Sequence, residues 1–223
     1  MAKFLNAGQT CIAPDYLLLH EDSKEKFLQV FRETLLQFYG ERPEASYDYG
    51  KIINEKRFDK LLSYLSQGKI LWGGTHDRSK LFLSPTILEG VALDSPLMKE
   101  EIFGPVLPVF SYRSMEEALA IIRLNPNPLA FYVFTSDAEK EKAWIGRVAF
   151  GGGCVNNAAW HFANHHLPFG GIGHSGLGAY HGRYSFDLFT HAKSIMKTPV
   201  RIDPGLKYPP MKGKLKWFKL FIR

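Results

Sequence analysis

Apolar and polar positions follow two rhythms along the chain, and these rhythms predict alternating helices and strands. Residues 24–39 and 54–67 place apolar side chains three and four positions apart, which is typical of helices with one buried face. Asp22-Ser23 and Asn54 stand where the N-caps of these two helices are expected. Short apolar runs between polar stretches predict buried strands at residues 14–20, 69–72, 81–88 and 106–112.

The alternation continues in the second half of the chain. Ser114 and Glu117 make a capping box that predicts a helix over 115–124. Further strands are predicted at 129–135 and 153–156, a helix from Asp137 to about Val148, and finally a helix at 180–189 and a strand at 192–197. Strands that alternate with helices predict an α/β fold with an open, largely parallel sheet flanked by helices.

Composition limits the class of protein. The chain has 223 residues, which is enough for one large domain with a sizeable core. No apolar run approaches the length of a membrane span, and the N-terminus lacks the pattern of a signal peptide. Two cysteines do not make a disulfide framework. We therefore expect a reduced, cytoplasmic protein.

The net charge of +6 is concentrated at the C-terminus. Residues 205–223 contain six basic residues and no acid, so that residues 1–204 are formally neutral. A neutral body argues against a nucleic-acid partner, since such proteins carry a basic face on the folded domain. If residues 211–223 form a helix, the basic residues Lys212, Lys216, Lys219 and Arg223 share one stripe, and the apolar residues Leu215, Trp217, Phe218, Leu220, Phe221 and Ile222 lie elsewhere. Such a helix can lie on an anionic membrane or pack on the body or a partner subunit.

Cys11 is the first candidate for chemistry. It follows Asn6-Ala7-Gly8-Gln9-Thr10, a small, polar stretch that predicts a turn before the first strand. A turn that aims backbone N–H groups at the sulfur would favour the nucleophilic thiolate and could stabilise an oxyanion. The alternative is a small buried side chain. Cys154, in a predicted strand, is interpreted as core.

Three further motifs have both structural and functional interpretations. The run Glu100-Glu101-Ile102-Phe103-Gly104-Pro105 is either a solvated turn or a site where a carboxylate binds ribose hydroxyls. The glycines of 168–178 match a dinucleotide fingerprint by letter, but no strand leads into them, which favours a pocket wall. The five histidines of 161–181 lack the scaffold of a zinc site, so no metal is expected and His165 or His166 is interpreted as lining a pocket.

Together these motifs resemble the NAD(P)-dependent aldehyde dehydrogenases over residues 3–197. Phe4 to Cys11 looks like the cysteine signature of that family, Glu100 to Pro105 like its ribose motif, and Leu167 to Gly171 with Ser175-Gly176 like its C-terminal pocket loop. The stretches 11–16 and 180–182 look most like the class 3 branch, which acts on fatty and aromatic aldehydes.

The resemblance implies a fold and a set of site residues. The fold would be the catalytic domain at 1–190, with an oligomerisation strand or arm at 191–204, a basic amphipathic tail at 205–223 and a homodimer as the assembly. Cys11 would attack the aldehyde and pass through a thiohemiacetal and a thioester. Glu101 and Phe103 would hold NAD or NADP, and the substrate pocket would be lined by Thr10, Ile12, His165 and Phe169.

The resemblance also implies that several parts of such an enzyme are not contained in this sequence. The family's chains are about twice as long, and its dinucleotide-binding domain, its general-base glutamate and its oxyanion asparagine find no counterpart in this sequence. We therefore expect an N-terminally truncated catalytic half that is inactive alone and requires the missing half. The alternative is a non-catalytic fragment or assembly module.

Overall fold

The structure is a computed structural model that describes residues 1–221. The chain divides into two units, Met1–Phe189 and the segment from Thr190 onward, and each is described by itself. The first unit contains all eight strands and six of the seven α-helices found in the described residues. Its α/β character confirms the prediction from the hydrophobic pattern.

The helices of the first unit begin largely where their capping residues predict. They are α1 (Glu21–Tyr39), α2 (Glu55–Leu65), α3 (Pro96–Lys99), α4 (Met115–Ile122), α5 (Ala138–Arg147) and α6 (Gly182–Phe189). The side chains of Asn54, Ser114 and Asp137 each accept a hydrogen bond from a first-turn amide of α2, α4 and α5. These bonds satisfy amide groups that have no partner inside the helix.

The predicted cap of α1 is wrong. Asp22 and Ser23 lie inside the helix, which begins at Glu21 after His20 without a side-chain cap. Glu21 and Asp22 instead place two carboxylates in the first turn, where they are favoured by the positive end of the helix dipole.

The strands form one four-stranded sheet and two small ladders. They are β1 (Leu17–His20), β2 (Lys69–Trp72), β3 (His76–Asp77), β4 (Phe82–Leu83), β5 (Thr86–Glu89), β6 (Val106–Tyr112), β7 (Ala130–Val133) and β8 (Gly152–Val155). The main sheet has the order β1-β6-β5-β2, and β3 pairs with β4 and β7 with β8. The β1–β6, β5–β6 and β7–β8 pairs are parallel and the β2–β5 pair is antiparallel. The main sheet is therefore mixed, with parallel pairs predominating.

One predicted strand is divided in two. The apolar run 81–88 becomes β4 and β5, separated by Ser84 and Pro85. Pro85 has no amide hydrogen to donate to a ladder, which explains a break at this point. Leu81 has a left-handed φ of 49°, and it ends a 3-10 turn before β4.

The main core lies between α2 and the sheet. Phe58, Leu61 and Tyr64 of α2 are completely buried, and they belong to one cluster with Phe4, Ile102 and Val106. Phe4 precedes the cysteine turn and Ile102 lies within the ribose-like motif. The core therefore packs directly beneath both candidate functional stretches.

The second unit contains little regular structure. A 3-10 turn spans Gly205–Lys207 and α7 spans Leu215–Phe221. The structure assigns no strand to residues 190–204, where the sequence predicted one. Strands are defined by pairing, and that strand was expected to join a partner subunit, so its role stays a prediction. Ile222 and Arg223 of the predicted basic helix lie outside the described residues.

Candidate active site

Cys11 follows a short left-handed turn. Residues Leu5–Gly8 form a 3-10 turn in which Asn6 and Ala7 have φ angles of 52° and Gly8 has φ 76°. The left-handed conformation therefore extends over three consecutive residues. Cys11 is exposed, and no protein acceptor within residues 1–221 takes its backbone N–H.

Gln9 fixes this turn from beneath. Its side-chain amide donates to the carbonyl oxygens of Asn6 at 3.0 Å and Lys51 at 2.9 Å, and its oxygen accepts from the Ile53 amide at 2.9 Å. The residue is buried, so these bonds satisfy the whole side chain without solvent. The position of Cys11 is thereby tied to the loop before α2.

The cysteine turn and the ribose-like motif meet backbone to backbone. A Cβ atom built on Gly8 would lie 2.3 Å from the carbonyl oxygen of Gly104, a separation that no side chain tolerates. Asp15 adds a second link, since its carboxylate accepts from the Ile102 amide at 3.1 Å. Two motifs some ninety residues apart in sequence therefore form one junction.

Arg57 of α2 holds the backbone of the ribose-like motif. Its guanidinium donates to the carbonyls of Glu101 at 2.9 Å and Phe103 at 3.4 Å, and also to that of Ile102. Phe103 takes a left-handed φ of 44°. The exposed Glu101 and half-buried Phe103 line an open groove of about 840 Å³ together with Ile53, Asn54, Lys56, Arg57, Lys60 and Glu100.

A buried charged cluster lies beneath the junction. Lys3 is only 4% exposed, and its Nζ has no hydrogen-bond partner among residues 1–221. Burial lowers the pKa of Lys3 to about 8, although Asp15 and Glu101 favour its charged form. Burial likewise raises the pKa of Asp15, against the influence of Lys3. It also raises the pKa of Glu101, to which the nearby Asp15 carboxylate contributes.

Tyr132 of β7 holds the other side of the cysteine turn. Its hydroxyl donates to the Ile12 carbonyl at 2.9 Å. Burial raises the pKa of Tyr132, and the nearby thiols of Cys154 and Cys11 add to the rise. The phenol therefore stays protonated as a hydrogen-bond donor at physiological pH.

Beyond Tyr132, an aromatic cluster leads to the predicted pocket residues. The His161 ring lies 5.9 Å from those of Tyr132 and Phe169, and Phe169 stacks on His181 at 5.9 Å. Phe169 is buried within this cluster, whereas His165 is exposed with its ring 5.5 Å from His181.

Cys154 differs from its predicted core position. It is half-buried on β8, and its Sγ lies 3.6 Å from Nδ1 of His161. The residues of β8 are all half-buried because this strand belongs to a two-stranded ladder and not to the interior of the main sheet.

The structure thus brings some predicted site residues together. Cys11, with its half-buried neighbours Thr10 and Ile12, meets the Glu101–Phe103 loop through the Gly8 contact. No hydrogen bond within the described residues joins Cys11 directly to His165 or Phe169. Their roles as pocket residues stay predictions. In the described part of the chain, no group of three or more His, Cys, Asp or Glu residues could hold a metal ion.

Sequence reasoning missed the residues that hold the site. Four of them, Gln9, Asp15, Arg57 and Tyr132, make hydrogen bonds between distant segments, and the fifth, Lys3, is a buried charge beneath these contacts. None of the five carries a local spacing signal. The only indication in the sequence of such a supporting role was the position of Gln9, a polar residue two positions before Cys11.

Comparison with known proteins defines the class of this chain. The family model described as "Aldehyde dehydrogenase family" matches residues 1–195. The chain therefore belongs to the aldehyde dehydrogenase family.

Individual relatives agree with this membership. The chain is 46% identical to a 4,4'-diaponeurosporen-aldehyde dehydrogenase of Staphylococcus aureus, over 99% of this chain and 49% of that protein. It is 42% identical to aldehyde dehydrogenase family 3 member H1 of Arabidopsis thaliana, over 97% and 46% of the two chains. The solved substrate-bound state of Staphylococcus aureus AldH superposes with a TM-score of 0.92 at 45% identity, over 100% of this chain and 49% of that one. The chain spans about half the length of these relatives.

Proposed function

We propose that this chain is the C-terminal, nucleophile-bearing half of a class 3 type aldehyde dehydrogenase, and that it oxidises aldehydes to carboxylic acids when the other half is supplied. The single observation that carries the proposal is the Gly8–Gly104 contact. It places an exposed thiol and a groove-lining carboxylate on one rigid junction. The order of the motifs and the half-length match to relatives support the same assignment.

The groove fits the ribose end of NAD or NADP, the cofactors that the family uses. Arg57 fixes the backbone beneath Glu101, so that the carboxylate lines the groove and could accept hydrogen bonds from a pair of ribose hydroxyls. Phe103 offers an apolar ring on the same wall. We assign Glu101 and Phe103 to this end of the cofactor, and the rest of the cofactor site to the other half of the enzyme.

The mechanism follows from the exposed thiol. The Cys11 thiolate attacks the aldehyde carbon, a C–S bond forms, and the carbonyl oxygen becomes an oxyanion that the Cys11 backbone N–H can stabilise. NAD(P)+, held at its ribose end by Glu101 and Phe103, would supply the hydride acceptor for the oxidation, and the aldehyde carbon would then be held on Cys11 as a thioester. Water then cleaves the thioester, releasing the acid and restoring the thiolate.

Water activation is assigned to the other half. The resemblance implies a general-base glutamate outside this sequence, together with the asparagine that completes the oxyanion site. Thr10, Ile12, His165 and Phe169 are the residues that we assign to this chain's share of the aldehyde pocket. An aldehyde is the substrate class, and a fatty or aromatic aldehyde is the class 3 preference.

Complementation tests the proposal directly. We would co-express the chain with the N-terminal half of a class 3 aldehyde dehydrogenase and measure NADH and NADPH absorbance with aliphatic and aromatic aldehydes. We expect turnover from the pair and none from the chain alone. Cys11→Ser should abolish turnover, whereas Cys154→Ser, the matched control, should retain it.

A second measurement isolates the nucleophile in the chain alone. An activated ester such as p-nitrophenyl acetate needs no NAD for attack by a thiolate, so the chain should show slow esterase activity that Cys11→Ser removes. Activity that survives this substitution would place the chemistry elsewhere.

A non-catalytic assembly module is the second candidate. It is favoured by large apolar side chains that are exposed in the first unit, such as Trp160, Leu177 and Phe189. These could contact another subunit, and a homodimer is the assembly that we propose. Light scattering on the purified chain tests this, since a wholly monomeric chain at all concentrations would contradict it.

A further inference from the structure

Cys154 and His161 form a pair of side chains that the proposed reaction does not use. The Sγ atom of Cys154 lies 3.6 Å from Nδ1 of His161. Cys154 is half-buried on β8 and so partly open to solvent, whereas His161 is only 7% exposed. The Nε2 atom of His161 is buried and has no hydrogen-bond partner among residues 1–221. The pair therefore consists of a partly accessible thiol and a buried imidazole that faces it.

The backbone after β8 turns back and places this imidazole. Ala159 takes a left-handed φ of 69°, and the 3-10 turn Trp160–Ala163 that follows contains His161. The His161 ring lies against Gly152, which shares one face of β8 with Cys154 because the two residues are two positions apart. A Cβ atom at Gly152 would lie 3.1 Å from Cδ2 of the ring. The missing side chain at Gly152 therefore leaves room for the imidazole beside the thiol.

The imidazole is suited to accept a proton from the thiol. Burial lowers the pKa of His161 below its ordinary value of 6.5, so the ring is neutral at pH 7. The neutral tautomer with its proton on Nε2 presents the Nδ1 lone pair to the sulfur. Tyr132, the register partner of Cys154, does not compete for this role, because its hydroxyl donates to the Ile12 carbonyl. Nδ1 of His161 is therefore the base that faces Cys154.

We propose that Cys154 and His161 form a modification site at which a small hydroperoxide oxidises Cys154 to a sulfenic acid. The half-buried position of the thiol favours a small reagent, and hydrogen peroxide is the simplest of this class. The site lies beside Tyr132, whose hydroxyl holds the cysteine turn. The proposal does not rest on the enzymatic function.

The oxidation balances without a further reactant. The sulfur of Cys154 attacks one oxygen of the peroxide while Nδ1 of His161 takes the thiol proton, so that an S–O bond forms and the O–O bond breaks. The proton then passes to the leaving oxygen, which departs as water. The sulfur loses two electrons and the peroxide gains them. A thiol reductant restores the cysteine, because a sulfenic acid is the reversible stage of cysteine oxidation.

The Cys11→Ser chain tests the proposal, because it leaves Cys154 as the one cysteine in the sequence. The folded variant would be treated with hydrogen peroxide at pH 7 in the presence of dimedone, which traps sulfenic acids, and the adduct on Cys154 would be followed by mass spectrometry. The same chain in denaturing urea gives the rate of an unassisted thiol, of which only a few per cent is thiolate. We expect the folded chain to react about tenfold faster, despite the partial burial of Cys154.

Histidine variants in the Cys11→Ser background identify the base. His161→Phe keeps an aromatic ring between Tyr132 and Phe169 but removes Nδ1, so labelling of Cys154 should be about tenfold slower. His161→Gln, a polar side chain that accepts no proton at pH 7, should be slowed to the same extent. His174→Phe, at an exposed position, is the matched control and should leave the rate unchanged. Circular dichroism would establish that each variant is folded.

Three results would overturn the proposal. The first is the absence of a dimedone adduct on Cys154 in the folded chain. The second is a folded chain that reacts no faster than the unfolded one, which would make Cys154 an ordinary half-buried thiol. The third is an unchanged labelling rate in both His161 variants, which would show that the imidazole does not assist the reaction.

Discussion

Two regions of the first unit carry candidate site residues but are held in different ways. The nucleophile junction comprises residues 3–15 and 100–105, and the histidine loop comprises residues 156–181. Buried side chains and backbone contacts fix the nucleophile junction, as Gln9 and Gly8 show. The histidine loop is held mainly by ring contacts around Phe169, and most of its side chains are exposed.

The difference separates two requirements of catalysis. A nucleophile must be placed within a fraction of an ångström of its target, which demands a rigid support. For the proposed nucleophile, Cys11, the chain supplies such a support from its own residues. A pocket wall can be completed by another segment, and exposed groups such as Trp160 and Leu177 are available for it.

Gly8→Ala should have the largest effect on the nucleophile junction. The substitution adds a methyl group 2.3 Å from the Gly104 carbonyl oxygen at a residue with φ 76°. We expect a loss of about 3 to 5 kcal/mol in the free energy of unfolding, from left-handed strain and the backbone clash together. Urea unfolding measures the loss, and the alkylation rate of Cys11 reports displacement of the thiol.

Gly90→Ala is the matched control for this substitution. Gly90 has φ 68° but nothing within 4 Å of the added carbon. Gly90→Ala should reduce the free energy of unfolding only by the cost of left-handed backbone strain, about 1 kcal/mol. Equal losses at the two positions would mean that the Gly8–Gly104 contact does not hold the junction.

Lys3→Met should remove a pH dependence of stability. The pKa of Lys3 is about 8 in the folded chain and 10.5 as the ordinary value. Between these values the unfolded chain binds more protons, so the free energy of unfolding rises with pH by about 3 kcal/mol and is reduced as pH falls through 8. The variant should lack this rise. Unfolding in urea at pH 7.5 and pH 10 measures the difference between variant and native chain.

The control for Lys3→Met is the exposed Lys26→Met on α1. It should retain the native rise in stability between the two pH values. A Lys3→Met chain that keeps the same rise would show that the buried ammonium does not titrate in this range.

Much of this architecture could be predicted from the sequence because it depends on local patterns. The caps Asn54, Ser114 and Asp137 act within four residues, and β6 begins and ends at the predicted positions. The cysteine turn and the Glu101 motif were also recognised, since each is a continuous stretch.

The support of the site could not be predicted in the same way. Arg57 reaches the carbonyl of Glu101 across 44 positions, and Tyr132 reaches that of Ile12 across 120. Such bonds depend on how the sheet and α2 pack, whereas a sequence pattern describes only residues that are close together in the chain. The burial of Lys3 was hidden for the same reason, because its surroundings come from Asp15, Arg57 and Glu101.

Tyr132→Phe should weaken the link between β7 and the nucleophile junction. The variant loses the hydroxyl that donates to the Ile12 carbonyl at 2.9 Å and leaves that carbonyl without this donor. We expect a cost of about 1 kcal/mol in the free energy of unfolding and faster hydrogen exchange over residues 10–16. Tyr47→Phe, at a fully exposed position, should change neither quantity. Unchanged exchange in Tyr132→Phe would show that the hydroxyl does not restrain the cysteine turn.

His161→Phe should have the smallest effect, and it tests whether ring packing alone holds the histidine loop. The substitution keeps an aromatic ring between Tyr132 and Phe169 and removes a buried Nε2 that has no hydrogen-bond partner in the described part of the chain. Burial lowers the pKa of His161 below 6.5, so its contribution to stability is full above pH 6.5 and is lost as pH falls through the folded value. At pH 7.5 we expect the free energy of unfolding to change by no more than about 1 kcal/mol. At pH 5 the variant should be more stable relative to the native chain than it is at pH 7.5. A large loss in the free energy of unfolding at pH 7.5 would instead assign the loop's stability to the contact between His161 and Cys154. The histidine loop would then depend on specific polar contacts, as the nucleophile junction does.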